Sequence, residues 1–189
     1  MCATRRERGD NVNVIILQGS PNRDGSTAIM AEEFARGARQ AGHEVERVDV
    51  CALDVAPCRG CVACGYGARP CMQRDGMGPL LDKIAAADLL ALAMPLYYYG
   101  MTAQLKCVID RFCSANSAIS ARRLDAVLLA VAWNADEWTF DALVAHYETL
   151  CRYLNMRDRG QVLGYGCGTP GMTRASAHLR EAYRLGASL

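Results

Sequence analysis

Two stretches of this sequence constrain it more than any other. Leu89 to Met94 (LLALAM) is apolar at every position and ends at Pro95, and Leu124 to Ala132 is apolar apart from Asp125. A strand with one wet face alternates apolar and polar residues; an unbroken run of this length reads as a strand buried on both faces. Val12 to Gln18 (VNVIILQ) is a third such run, rich in β-branched residues and closed by Gly19. Val45 to Val50 alternates apolar and charged residues, which suits a strand nearer the sheet edge, and Gln161 to Tyr165 is a weaker fifth.

Helical patterns fill the gaps. Thr27 to Ala41 follows Ser26, a candidate N-cap, and stops at Gly42. Phe140, Leu143, Val144, Tyr147, Leu150, Cys151 and Leu154 recur at three- and four-residue spacing and form one apolar stripe. Met101 to Cys113 and Met172 to Leu185 carry similar patterns. Buried strands alternating with helices predict a parallel sheet covered on both sides. Five strands in this order fit an α/β flavodoxin-like three-layer sandwich, with a five-stranded parallel sheet of order 2-1-3-4-5.

The chain has 189 residues, 51% of them hydrophobic, and a formal net charge of +1. That composition excludes a disordered chain, and the length suits one domain. Near-zero charge argues against nucleic acid or an anionic membrane as partner. No apolar run approaches the ~18 residues of a spanning helix. Residues 1–10 read as a flexible polar tail without the apolar middle of a signal peptide, and 11–189 as a single domain. The expected location is the cytoplasm.

One connection is out of proportion. From Cys51 to Gly78 no periodicity is visible, well past the usual limit of ~12–15 residues for an unstructured loop. Of the ten cysteines, Cys2, Cys51, Cys107, Cys113, Cys151 and Cys167 are scattered and read as small buried hydrophobes. Cys58, Cys61, Cys64 and Cys71 fall together inside the long loop. Their C-x2-C-x2-C spacing in a glycine-bearing backbone is typical of iron–sulfur ligation. The same thiols suit a tetrahedral zinc, a redox-active disulfide or free packed cysteines, and the spacing leaves all of these open.

Two further segments point to a ligand. Gly19-Ser20-Pro21-Asn22-Arg23-Asp24-Gly25-Ser26-Thr27 joins the first strand to the first helix. A glycine- and hydroxyl-rich turn there offers free N–H groups and the positive helix end to an anion, and the Ser20, Ser26 and Thr27 hydroxyls can add hydrogen bonds to phosphate oxygens. It is neither the GxGxxG pattern nor a P-loop. The third strand runs into Pro95-Leu96-Tyr97-Tyr98-Tyr99-Gly100. Adjacent tyrosines at a strand's carboxyl end suit a planar aromatic ligand, bound where doubly wound sheets bind theirs.

Gly19-Ser20-Pro21, Gly25-Ser26-Thr27 and Pro95 to Gly100, with Gln104-Leu105-Lys106 and Asp110-Arg111, resemble the NAD(P)H-dependent FMN reductase family. The resemblance implies a loop of Ser20, Asn22, Asp24, Gly25, Ser26 and Thr27 around the FMN phosphate. It implies a second loop of Pro95, Leu96, Tyr97, Tyr98, Tyr99 and Gly100 along the isoalloxazine ring. A third, after the fourth strand, would contribute Trp133 and Asn134, where many relatives carry glycines. The cysteine loop is similar to that of the iron–sulfur flavoprotein branch, which implies a 4Fe-4S cluster on Cys58, Cys61, Cys64 and Cys71. Relatives often carry Asp-Asp-Met after the last cysteine, where this chain has Asp75-Gly76-Met77.

The implied activity is hydride transfer from NAD(P)H to FMN and on to a small acceptor (a flavin, quinone, azo or nitro compound) or a redox protein, in a homodimer. Such chemistry belongs to the flavin and needs no side-chain nucleophile; Tyr97, Tyr98 and Tyr99 are the candidate substrate contacts. The alternative is an electron-transfer flavoprotein that works only with partner proteins, although the +1 charge lacks the acidic field of such shuttles.

Overall fold

The computed structural model describes residues 11–189; the tail read at 1–10 lies outside the described residues. The strands are β1 (Asn13–Gln18), β2 (Glu44–Asp49), β3 (Leu89–Pro95), β4 (Asp125–Val131) and β5 (Arg157–Gly164). All pair in parallel in the order β2-β1-β3-β4-β5, as expected. The helices are α1 (Ser26–Gln40), α2 (Met77–Ala86), α3 (Ala103–Arg111), α4 (Asn116–Arg122), α5 (Asp141–Tyr153), α6 (Pro170–Ala175) and α7 (His178–Ala187).

Successive residues of β3 and β4 feed opposite cores. Leu90, Leu92, Met94, Ala126, Leu128 and Ala130 pack with Leu80, Ile84, Leu105, Val108, Leu143 and Tyr147 on the side of α2, α3 and α5. Leu89, Ala91, Ala93, Val127, Leu129 and Val131 pack with Met30, Phe34 and Ala182 on the side of α1 and α7. This is why those strands carry no polar alternation: both pleat faces are interior. α1 and α7 meet backbone to backbone: a methyl added at Gly37 would stand 2.1 Å from the Tyr183 carbonyl, and one at Gly186 2.1 Å from that of Phe34.

Four elements differ from the sequence reading. The unpatterned loop ends sooner, because α2 begins at Met77 and takes in Gly78 and Pro79. Proline is tolerated there since first-turn N–H groups have no intrahelical acceptor. The segment after α3 continues through a 3-10 turn at Phe112–Ala115 into the short α4, which ends on Arg123 in the left-handed region. The stretch read as one helix from Met172 to Leu185 is two, α6 and α7, broken at Ser176 in extended conformation. β5 begins at Arg157, ahead of the expected start, and its pairing with β4 slips between Ala126 and Val127.

Candidate functional site

The order β2-β1-β3 places the carboxyl ends of β1 and β3 side by side at the topological switch. Gly19 follows β1 and is held from two sides: its N–H donates to the Ala93 carbonyl at 2.7 Å, and its own carbonyl accepts from Thr102 Oγ1 at 2.7 Å. A side chain there would stand 2.7 Å from Leu105 Cβ, so the position needs glycine. Thr102, fully buried, also accepts from the Leu105 N–H and so caps α3. One hydroxyl thereby fastens the loop after β1 to the helix that follows the tyrosines. The sequence reading gave Thr102 no role; a threonine three residues before Leu105 at a helix start was the available signal.

Within the loop the polar groups divide. Ser20 Oγ accepts from the Asn22 N–H and donates to the Asn22 carbonyl, while Asn22 Oδ1 accepts from the Asp24 N–H. These side chains shape the turn. Asp24 is exposed and carries the same charge as a phosphate, so its contribution is through the loop's course. Ser26 and Thr27 behave differently. Gly25, not Ser26, is the N-cap of α1, and it makes no side-chain cap. Ser26 Oγ and Thr27 Oγ1 are buried and have no hydrogen-bond partner, and Gln18 Oε1, at the end of β1, shares that state. A buried unpaired hydroxyl costs about 1–3 kcal/mol. Two of them at the positive end of a fifteen-residue helix fit an anion that would pair them.

At the end of β3, Tyr97 and Gly100 exchange hydrogen bonds across a tight turn whose central residues, Tyr98 and Tyr99, have φ of 45° and 64°. Left-handed conformation at two adjacent bulky residues stores strain of order 1–3 kcal/mol each. It points Tyr98 fully into solvent, and Tyr99 packs against Trp138 with ring centroids 5.1 Å apart. The Leu96 N–H donates to the Val131 carbonyl, which ties this turn to the end of β4.

There Trp133 is 71% exposed and rests on Gly168, where an added methyl would come within 2.2 Å of the indole. Asn134 donates from Nδ2 to Asp136 and accepts from the Gly166 N–H through its carbonyl. The two loops named for the aromatic ligand thus touch through Tyr99 and Trp138. Two grooves of about 330 and 440 Å³ run along β2 and Lys83; the second reaches Gln18 and Arg23, and neither includes the tyrosines.

The cysteine segment leaves the end of β2 and lies against the far end of α3. Its two ends are held by one buried arginine. Arg111 Nη1 donates to the Ala56 carbonyl at 2.8 Å and to Asp75 Oδ2 at 2.7 Å, and Nη2 donates to Asp75 Oδ1 at 3.1 Å. Asp75 also accepts from the Ala56 and Met77 N–H groups. The guanidinium beside it, then these backbone donors, hold the Asp75 carboxyl below the usual carboxylate range against the opposing effect of burial.

The four candidate ligands are not gathered. Cys58 and Cys64 adjoin Cys113, Cys71 adjoins Arg111, and Cys61 is exposed. Burial, followed by the neighbouring Cys58, pushes the Cys113 thiol up to about 12. Among the described residues no three His, Cys, Asp or Glu side chains converge on a point that could hold a metal. The donor set has iron–sulfur chemistry, but its arrangement in this structure does not fit a cluster. Cys113, which the sequence reading placed with the scattered cysteines, is the thiol brought to this group.

The fold and these loops define a flavodoxin-like α/β protein with an anion-ready helix start at the topological switch. More narrowly, the chain belongs to the NADPH-dependent FMN reductase family, whose sequence model matches residues 12–188. An iron–sulfur flavoprotein of Archaeoglobus fulgidus is 36% identical over 95 residues, 50% of this chain and 43% of that protein. The match therefore spans less than half of that relative's own length. The Bacillus subtilis protein YwqN is 23% identical over 92% of this chain and 96% of its own. Among solved structures, an NAD(P)H:quinone oxidoreductase from Methanothermobacter marburgensis superposes with TM-score 0.75 at 18% identity, covering 95% of this chain and 96% of that one, a likeness of fold. Among the described residues no helix is long and apolar enough to cross a membrane.

Proposed function

We propose that the chain is an FMN-dependent oxidoreductase that draws electrons from NAD(P)H and delivers them to a small acceptor or a redox protein. The observation that carries this is the pair of buried, unpartnered hydroxyls of Ser26 and Thr27 at the start of α1. Bound FMN would supply hydride acceptance from a nicotinamide and onward electron transfer.

The chain's own residues do the holding. Ser26 and Thr27 would hold the phosphate through their unpartnered hydroxyls, together with the first-turn N–H groups of α1. Ser20 and Asn22 keep the loop in its course, and Asp24 and Gly25 complete it. Pro95 and Leu96 fix the second loop to β4, while Tyr97, Tyr98, Tyr99 and Gly100 form the turn that a planar ring would lie along. Trp133 and Asn134 would border the site from the third loop. Tyr98, Trp133 and Trp138 are each exposed, and their burial by a second copy of the chain would suit a homodimer.

A second reading, favoured by Cys58, Cys61, Cys64 and Cys71 and by the name of the Archaeoglobus relative, is an iron–sulfur flavoprotein acting through partner proteins. Among the described residues these thiols do not converge on a point that could hold a metal. Titration with FMN followed by anaerobic NADPH oxidation with a soluble quinone tests the first reading. One-to-one flavin binding and steady turnover support it. Flavin binding without turnover, plus iron on the anaerobically purified chain, supports the second, and absence of flavin binding contradicts both.

A further inference from the structure

One contact plays no part in the flavin site. Cys58 Sγ lies 3.9 Å from Cys113 Sγ, a residue 55 positions away. Both sides of this contact are set by the fold. Cys113 belongs to the 3-10 turn Phe112–Ala115, whose Phe112 and Ser114 are buried and whose Ser114 Oγ donates to the Arg111 carbonyl. Cys58 follows two residues after Ala56, whose carbonyl and N–H are held by Arg111 and Asp75. The same segment is pressed onto the start of α4, where a methyl on Gly67 would stand 3.1 Å from the Asn116 nitrogen. Cys58 itself is exposed, and Gly60 beyond it sits at φ +64° in open space, so the sulfur can move without disturbing packed atoms. A disulfide needs about 2.05 Å between sulfurs, roughly 2 Å less than the present gap.

We propose that Cys58 and Cys113 close a reversible disulfide that straps the cysteine segment to the end of α3. A low-molecular-weight disulfide is the oxidant. The exposed Cys58 attacks it as thiolate, forming a mixed disulfide and releasing one small thiol. Cys113 then loses its proton to solvent and attacks Cys58 Sγ, which releases the second small thiol. Two electrons pass from the two protein thiols to the reagent, and each released thiol takes one proton. The strap stands independently of any metal. Where the second reading under the proposed function holds, Cys58 serves either the strap or the metal, since its sulfur cannot be both disulfide-bonded and a thiolate ligand.

The test uses the full chain, freed of metal with a chelator under reducing conditions and then exposed to oxidised glutathione. Peptides are mapped by mass spectrometry without reduction. The expected result is a Cys58–Cys113 linked peptide that disappears on reduction. In Cys113→Ser, glutathione should remain on Cys58 at about tenfold or more its wild-type level, because the resolving thiol is gone. Linkage of Cys58 to Cys61 or Cys64 in the wild-type chain, or equal glutathione on Cys58 in both proteins, overturns the proposal. The metal reading has its own readout, iron bound after anaerobic reconstitution of unoxidised chain. Failure there contradicts that reading, while the strap is judged on the peptide map alone.

Discussion

Replacing Arg111 by methionine should loosen the cysteine segment at both ends at once. The guanidinium is 1% exposed and the Asp75 side chain 9%, so the pair is hardly screened by solvent. Methionine fills much of the space but removes all three donor contacts to Ala56 and Asp75. The carboxylate then keeps only the Ala56 and Met77 N–H groups and is left as a buried charge without its counterion. Breaking a buried pair from one side costs about 3–5 kcal/mol. At about 2–4 °C per kcal/mol for a chain of this size, the melting temperature should fall by roughly 6–20 °C. The loss should be local first: limited proteolysis should cut between residues 56 and 75 in the variant under conditions where the wild type stays intact. Arg111→Met combined with Asp75→Asn should cost clearly less than the two single changes added, because the double variant strands no charge. A single-variant loss below about 1 kcal/mol, or strict additivity in the cycle, would refute the clamp.

Other consequences can be checked separately. Asp75 has its carboxyl lowered from an ordinary 3.8, so its contribution is complete above that value and lost as pH falls through the depressed one; Asp75→Asn should flatten the acid limb of the stability profile there, measured by urea midpoints from pH 5 downward. Ser26→Ala and Thr27→Ala remove hydroxyls that pair with nothing in the chain, so each should leave the melting temperature unchanged or raised while weakening FMN binding by about tenfold or more in a fluorescence titration. Tyr98→Gly relieves a φ of 45° on a side chain in open solvent; thermal stability should hold or rise slightly, and FMN affinity should fall. Gly168→Ala should displace Trp133, read as a shift in tryptophan emission that is absent from Gly171→Ala.

Much of the architecture was legible because burial on two faces leaves a mark in composition. Leu89–Met94 and the run through β4 read as strands buried on both faces, and the loop after β1 showed its glycines and hydroxyls at a helix start. α2 escaped because Gly76, Gly78 and Pro79 have the composition of a loop, although at a first turn glycine and proline cost little. Other features depend on contacts between distant residues, which spacing does not record. Ser26 looked like a cap, yet the turn shaped by Ser20 and Asn22 leaves its hydroxyl free. The spacing of the four clustered cysteines left a cluster, zinc, a disulfide and free thiols open, and only the fold brings Cys58 toward Cys113 on another element. Thr102 joins two loops that lie 83 residues apart in the chain, and only the parallel pairing of β1 with β3 makes that hydroxyl a link between them.

FMN held at the start of α1 should be reduced there by a nicotinamide. The most direct test is the anaerobic absorbance spectrum of the FMN-loaded protein before and after one equivalent of NADPH. The wild-type chain should show a perturbed flavin band that bleaches on addition, and the variant with both Ser26 and Thr27 replaced by alanine only the spectrum of free flavin. A wild-type spectrum identical to free FMN, or a bound flavin that NADPH leaves oxidised, would contradict this expectation.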